Sequence, residues 1–166
     1  AIEQSKSQGA ELVIFAELAI SGYPPRDFLE FEEFVAKCHE SAVSIAAHCK
    51  GIACIVGLPV LNTNPKGKGL FNAAYFIADG AIQQCVRKSL LPNYDVFDEY
   101  RYFEPNVDFS VIHYKGKKIA LTICEDLWNI EEDPLYTVSP MDELMHYQPD
   151  LMINIAASPF AANHAL

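Results

Sequence analysis

The sequence predicts an α/β fold with mixed sheets, and three observations carry that prediction. Short, mostly uncharged runs rich in Val, Ile, Leu, Ala and Phe recur at 12–16, 52–60, 71–78, 82–87, 118–123 and 151–156, each bounded by turn residues. The stretch 31–50 instead repeats its apolar residues at helical spacing. Some strand candidates are joined by turns of hairpin length (Asp79-Gly80 and Lys115-Gly116-Lys117), while others are separated by helices, so antiparallel and parallel neighbours must coexist.

Taken in order, residues 1–8 read as a helix closed by Gly9, and 12–16 as a buried strand with Glu17 at its C-terminal end. Ser21-Gly22-Tyr23-Pro24-Pro25-Arg26-Asp27 is a fixed loop, because a glycine and two prolines define its backbone; Tyr23 either lines a pocket or packs. In the helix over 31–50, Phe31, Phe34, Val35, Cys38, Ala42, Ile45 and Ala46 share one face, and Glu32 and Glu33 at its start suit the helix dipole. The strand over 52–60 is expected to stop at Pro59 and Asn62. The glycine- and lysine-bearing turn at 64–69 lacks the GxxxxGK[ST] order of a phosphate loop. Lys88 stands at the end of the strand over 82–87. Residues 89–103 show no periodicity but carry many aromatic rings, and so read as an ordered loop walling a pocket. Strands over 109–114 and 118–123 form a hairpin that runs into Cys124-Glu125-Asp126-Leu127-Trp128. An acidic surface excursion over 129–138, a short helix over 141–147 and a last strand over 151–156 follow.

The 166 residues, 51% hydrophobic, suffice for one core. A net charge of −10, from 22 acids against 12 bases, argues against nucleic acid and against an anionic membrane as partners. The apolar runs are too short to cross a bilayer, and no signal-peptide pattern opens the chain. The 5 cysteines are odd in number and form no CxxC pair, which disfavours a disulfide framework or a zinc site and suggests a reducing cytoplasm. Residues 1–6 read as the middle of a helix and 160–166 stop just after a strand, so the expectation is a piece of a longer protein.

Three strands end in chemically capable groups: Glu17, Lys88 and Cys124. Ligands of open α/β sheets gather at such edges. Taken singly, Cys124 reads as a small buried hydrophobe and Glu17 as a solvated strand-end acid. Together they can run acyl transfer through a thioester. The carboxylate serves as general base, and the ammonium stabilises an oxyanion and lowers the thiol pKa.

The surroundings of these residues resemble the nitrilase, or carbon–nitrogen hydrolase, superfamily. The resemblance rests on Phe15-Ala16-Glu17, Arg87-Lys88-Ser89-Leu90-Leu91-Pro92 and Ile123-Cys124-Glu125-Asp126-Leu127-Trp128, in that order along nearly the whole chain. Finer detail in Ser21–Asp27, in the segment from Leu91 to Phe103 and in Asn154-Ile155-Ala156-Ala157-Ser158-Pro159-Phe160 is similar to the glutaminase domain of glutamine-dependent NAD synthetases. The resemblance implies an αββα sandwich, here truncated at both ends, with Cys124 as nucleophile, Glu17 as base, Lys88 as oxyanion stabiliser and Glu99 as a second, supporting glutamate preferred over Glu104. Tyr23, Tyr94, Glu125, Trp128 and Ser158 would line the glutamine pocket, with Glu125 and Ser158 accepting from the substrate's α-amino group. Glu99 as a solvated loop acid and Trp128 as a packing residue stay open as alternatives.

The resemblance further implies glutamine as substrate, a homo-oligomer, and ammonia passed to a synthetase domain whose ATP and Mg are not needed for the amide hydrolysis. No Ser-Gly-Gly-rich pyrophosphatase loop of such a domain occurs in the sequence. On this reading Lys88→Met removes turnover and leaves the fold. Two rivals are a stand-alone amidase for another small amide and a non-catalytic assembly module. The presence of all three catalytic residue types speaks against the module.

Overall fold

The computed structural model describes residues 1–129 and 135–159. Within them, helix α1 (Ile2–Ser7) leads to strand β1 (Leu12–Ile14), and helix α2 (Glu32–Ala46) leads to the hairpin-linked strands β2 (Ala53–Leu61), β3 (Leu70–Ala78) and β4 (Ala81–Arg87). A one-turn helix α3 (Glu99–Tyr102) precedes β5 (Ile112–Tyr114) and β6 (Lys117–Ile123), and α4 (Pro140–Met145) precedes β7 (Leu151–Ile155). The strands form two mixed sheets, β1-β2-β3-β4 and β5-β6-β7; β1 runs parallel to β2 and β7 parallel to β6, while the other neighbours are antiparallel.

Period-2 alternation builds the layers. Cys54, Val56 and Leu58 of β2 face Ala42 and Ala46 of α2, whereas Ala53 and Ile55 face the second sheet. On β6, Ile119, Leu121 and Ile123 point into the space between the sheets, and Ala120 points outward to Leu144 of α4. The order is therefore helix, sheet, sheet, helix: the αββα sandwich that the resemblance implied. Both faces of β2 and β6 are covered, which is why these strands read as continuous apolar runs.

The turns obey local rules. Ala78 pairs with Ala81 across Asp79 and Gly80, at φ 53° and 81°, and Tyr114 pairs with Lys117 across Lys115 and Gly116, at φ 49° and 74°. Two consecutive left-handed residues match the right-handed twist of the flanking strands.

Several boundaries differ from expectation. Strand β2 runs through Pro59 to Leu61 instead of stopping there. Ile55 and Gly57 direct their carbonyls toward the β1 side, accepting from Phe15 and Ile20, and Pro59 has the same parity. Its missing N–H therefore falls where β1 has already ended, and no ladder bond is lost. Helix α2 occupies 32–46 and not 31–50, and Phe31 stays 63% exposed. Strand β5 starts at Ile112, three residues later than expected. Of the excursion over 129–138, residues 130–134 lie outside the described residues; its described ends are tied by the Asn129 side chain, which bonds the backbone of Tyr136 and Val138.

Candidate active site

Cys124 begins a 3₁₀ turn (Cys124–Leu127) directly after β6 and sits at φ 50°, 5% exposed. A non-glycine residue there costs about 1–3 kcal/mol and persists only where the surroundings fix it. Asp126 does the fixing. One carboxylate oxygen accepts from Ser89 N at 2.9 Å and Leu90 N at 2.8 Å, and the other from Ile123 N at 3.2 Å. The acid thus caps the turn and also ties it to the segment that follows Lys88.

Burial pushes Asp126 up to about 7 from its ordinary 3.8, against the N–H groups of Leu90, Ser89 and Ile123 and the charge of Lys88. A carboxyl raised by folding binds its proton more tightly in the fold than in the unfolded chain. Its share of stability is complete below the ordinary value and is lost as pH rises to about 7. Asp126→Asn keeps an acceptor for part of the triad of N–H groups and turns an NH₂ toward the remainder. We expect this to cost about 1–3 kcal/mol, with a wider wild-type-to-variant gap in urea unfolding at about pH 5 than at about pH 8. An equal gap at both would show the carboxylate ionised throughout.

Glu17 follows β1 and is 1% exposed, while Lys88 follows β4 and is fully buried. Lys88 Nζ donates to Glu17 Oε1 at 2.7 Å and to both oxygens of Glu99, at 2.9 and 2.8 Å. Glu99 is 5% exposed at the start of α3, its Oε1 also accepting from Tyr23 Oη at 2.9 Å. The solvated alternative for Glu99 therefore falls. Glu104 works elsewhere, accepting from Lys68 N at 2.8 Å and filling the space over Gly67. Burial works to lower the lysine's pKa, but the charges of Glu99 and Glu17 hold it above the ordinary value. Burial raises Glu99, with Lys88 opposing.

Cys124 lies close enough that the charges of Lys88, Glu17 and Glu99 each move its titration. Burial pushes the thiol up to about 11; the charge of Lys88 works against that, and the two glutamates add to it. At rest Cys124 is a thiol, and an attack by its sulfur would need a base to take its proton.

The structure also gathers most of the expected pocket residues. Glu125 Oε1 accepts from Tyr94 Oη at 2.7 Å and from Tyr136 Oη at 3.2 Å. The Phe97 ring stacks edge-on against both Tyr23 and Tyr94, at 6.5 and 5.6 Å between centroids, so the aromatic loop does wall the site. Tyr23, Arg26, Val96, Ala157 and Ser158 border a cavity of about 360 Å³. Trp128 follows the last residue of the 3₁₀ turn and is 67% exposed among the described residues. Phe160, at the end of one resembling segment, lies outside the described residues.

Sequence reasoning missed three contributors. Asn72 of β3 donates from Nδ2 to Glu17 Oε1 at 2.8 Å and to Glu99 Oε2 at 3.2 Å. Its signal was an amide inside the otherwise apolar run Leu70–Ala78. Ala157 N donates to Glu17 Oε2 at 3.0 Å. Gly57 lets the backbone bearing Glu17 lie against β2: a Cβ there would stand 2.4 Å from Leu18 N and 2.6 Å from Ala16 O.

A buried thiol on a strained elbow, two carboxylates and an ammonium gathered at strand ends of an αββα sandwich are the parts a hydrolase of carbon–nitrogen bonds would need. Comparison with known families agrees: the carbon–nitrogen hydrolase model matches residues 1–152, and the chain belongs to that family. It is 39% identical over 165 residues to the glutamine-dependent NAD(+) synthetase of Synechocystis sp., covering 95% of this chain and 30% of that protein. It is 40% identical over 153 residues to the enzyme of the same name from Xanthomonas campestris, covering 91% and 26%. The chain thus spans under a third of the length of these relatives. Among solved structures, glutamine-dependent NAD+ synthetase from Acinetobacter baumannii matches with a TM-score of 0.83 and 30% identity, over 98% of this chain and 28% of that one. An amidase from Nesterenkonia sp. shares the fold at a TM-score of 0.74 and 20% identity, over 99% and 58%.

Proposed function

We propose that this chain hydrolyses the side-chain amide of glutamine through a thioester on Cys124 and supplies ammonia to a synthetase domain of the same longer protein. The observation that carries the chemistry is the Lys88 ammonium, buried between Glu17 and Glu99 and followed directly by the Ser89–Leu90 backbone that Asp126 ties to the Cys124 turn. The named relatives support the choice of substrate.

Glu17 takes the thiol proton as sulfur attacks the amide carbon. Lys88, with the backbone N–H after Cys124, stabilises the oxyanion. All the ammonium's N–H groups are engaged at rest, but Glu99 is held by both of its oxygens. One of those bonds can transfer to the oxyanion while the other keeps the pair together. The carbon–nitrogen bond then breaks, Glu17 returns its proton to the departing ammonia, and water activated by the same carboxylate cleaves the thioester to glutamate and free thiol. The Glu125 carboxylate, oriented by Tyr94 and Tyr136, supplies the acceptor for the α-amino group.

This hydrolysis asks no cofactor of the chain; ATP and Mg belong, on this reading, to the synthetase domain. We further infer a cytoplasmic enzyme that pairs copies of itself. No described helix is long and apolar enough to cross a membrane.

The test is to titrate the full-length protein with a glutamine-shaped thiol electrophile. Labelling is expected at Cys124 alone, with loss of glutaminase activity, and Cys124→Ala is expected to abolish both. Equal labelling of all 5 cysteines, or full activity in the alanine variant, would falsify the reading.

A further inference from the structure

We propose that Asn72 is a positioning residue of the catalytic cluster, its side-chain amide holding the Glu17 and Glu99 carboxylates in place, in their acceptor form, around the single ammonium of Lys88. The proposal rests on the reading of Glu17 as the base that serves Cys124. Asn72 lies on β3, 1% exposed, and its backbone carbonyl accepts from Lys88 N at 2.8 Å, so the two residues are bound neighbours across the end of the β3–β4 ladder. The side chains close a ring. Lys88 Nζ reaches Glu17 Oε1 at 2.7 Å, Asn72 Nδ2 reaches the same oxygen at 2.8 Å and Glu99 Oε2 at 3.2 Å, and Lys88 returns to Glu99 Oε2 at 2.8 Å.

The charges explain why an amide belongs there. Two buried carboxylates face one ammonium, so one negative charge is left without an ionic partner. A neutral group with two N–H donors on one nitrogen is the smallest answer that adds no further charge. The amide's orientation follows from the same fact, because the reverse placement would set its oxygen against two carboxylate oxygens. Among the described residues Oδ1 accordingly has no partner although it is buried. Such an orphan is costly, and it persists where the opposite end of the group makes charge-assisted bonds.

Hydrogen bonds to a carboxylate favour its ionised form. Without them the Glu17–Glu99 pair takes up a proton more readily, and less of the enzyme can deprotonate Cys124 on the acid side. The experiment is the rate of Cys124 alkylation by chloroacetamide as a function of pH, in full-length wild type, Asn72→Leu and Asn72→Ser. Leucine matches the shape without donors, and serine keeps one donor and carries the test if leucine prevents folding.

The acid limb is expected to move up by about one pH unit in the leucine variant, a tenfold slower reaction on the acid side, and by less in the serine variant. The limb of kcat/KM for amide hydrolysis should follow. Unmoved limbs, with activity lost only in proportion to folded protein, would overturn the proposal and leave Asn72 a packing residue. A Glu17→Gln profile identical to wild type would be a different result, removing Glu17 as base and the proposal with it.

Discussion

Replacing Gly57 by alanine is expected to unseat the active site from within the fold. The added Cβ would lie 2.4 Å from Leu18 N, 2.6 Å from Ala16 O and 2.8 Å from Glu17 C. All are backbone atoms of the segment that carries Glu17, so no flexible side chain can swing away. That segment is also pinned by Ile20 N bonding Gly57 O at 3.1 Å and by Leu18 at φ 48°. Overpacking of this kind costs about 1–3 kcal/mol, and with only backbone to move we place Gly57→Ala at about 3 kcal/mol. A shift of about 1 Å in a catalytic group costs on the order of 10²-fold in rate, so glutaminase activity should fall by at least that much even in the folded fraction. Urea unfolding and kcat on the same preparation check both numbers. Wild-type activity in a stably folded Gly57→Ala would mean the two backbones separate without moving Glu17.

Lys88→Met is expected to slow the chemistry sharply, and the structure changes what else it should do. Loss of one oxyanion donor typically raises the barrier by about 3–4 kcal/mol, and kcat should drop by about 10²–10³. The sequence suggested that the fold would be indifferent. It should not be, because methionine would leave two carboxylates buried together with no cation. Removing one partner of a buried pair costs about 3–5 kcal/mol. Glu99 then protonates readily, since burial already raises it and Lys88 is what opposes the rise. Adding Glu99→Gln to Lys88→Met should therefore restore part of the stability and none of the activity, as read by unfolding and by ammonia release. A double variant no more stable than Lys88→Met would show that the carboxylates relax into solvent.

The elements were legible because burial on both faces writes strands as apolar runs, and because Asp79-Gly80 and Lys115-Gly116 name their own turns. The candidate site was legible where chemically capable groups sit at strand ends: Glu17, Lys88 and Cys124 each stand where an apolar run stops. What the sequence could not show are contacts made across long separations. Asn72 meets Glu17 55 positions away, and Ala157 meets it across 140. Gly57 looked like any small residue in a strand until the neighbouring backbone was in view. Trp128 shows a related limit: its place in a motif said nothing about its exposure after the chain turns at Leu127. Asp126 caps the turn after Cys124, and its reach to Ser89 and Leu90 was another such long-range contact.

The resting state of Cys124 has a consequence for durability. With the thiol pushed up to about 11, the anion makes up about one part in ten thousand of the protein at neutral pH. Peroxide and other cellular oxidants attack the anion, not the thiol. A cysteine kept protonated until an amide arrives is thereby shielded from sulfenic acid formation between turnovers. On the proposed mechanism Glu17 lends the sulfur its reactivity for the length of one attack, so Cys124 is expected to oxidise more slowly than a permanent thiolate would.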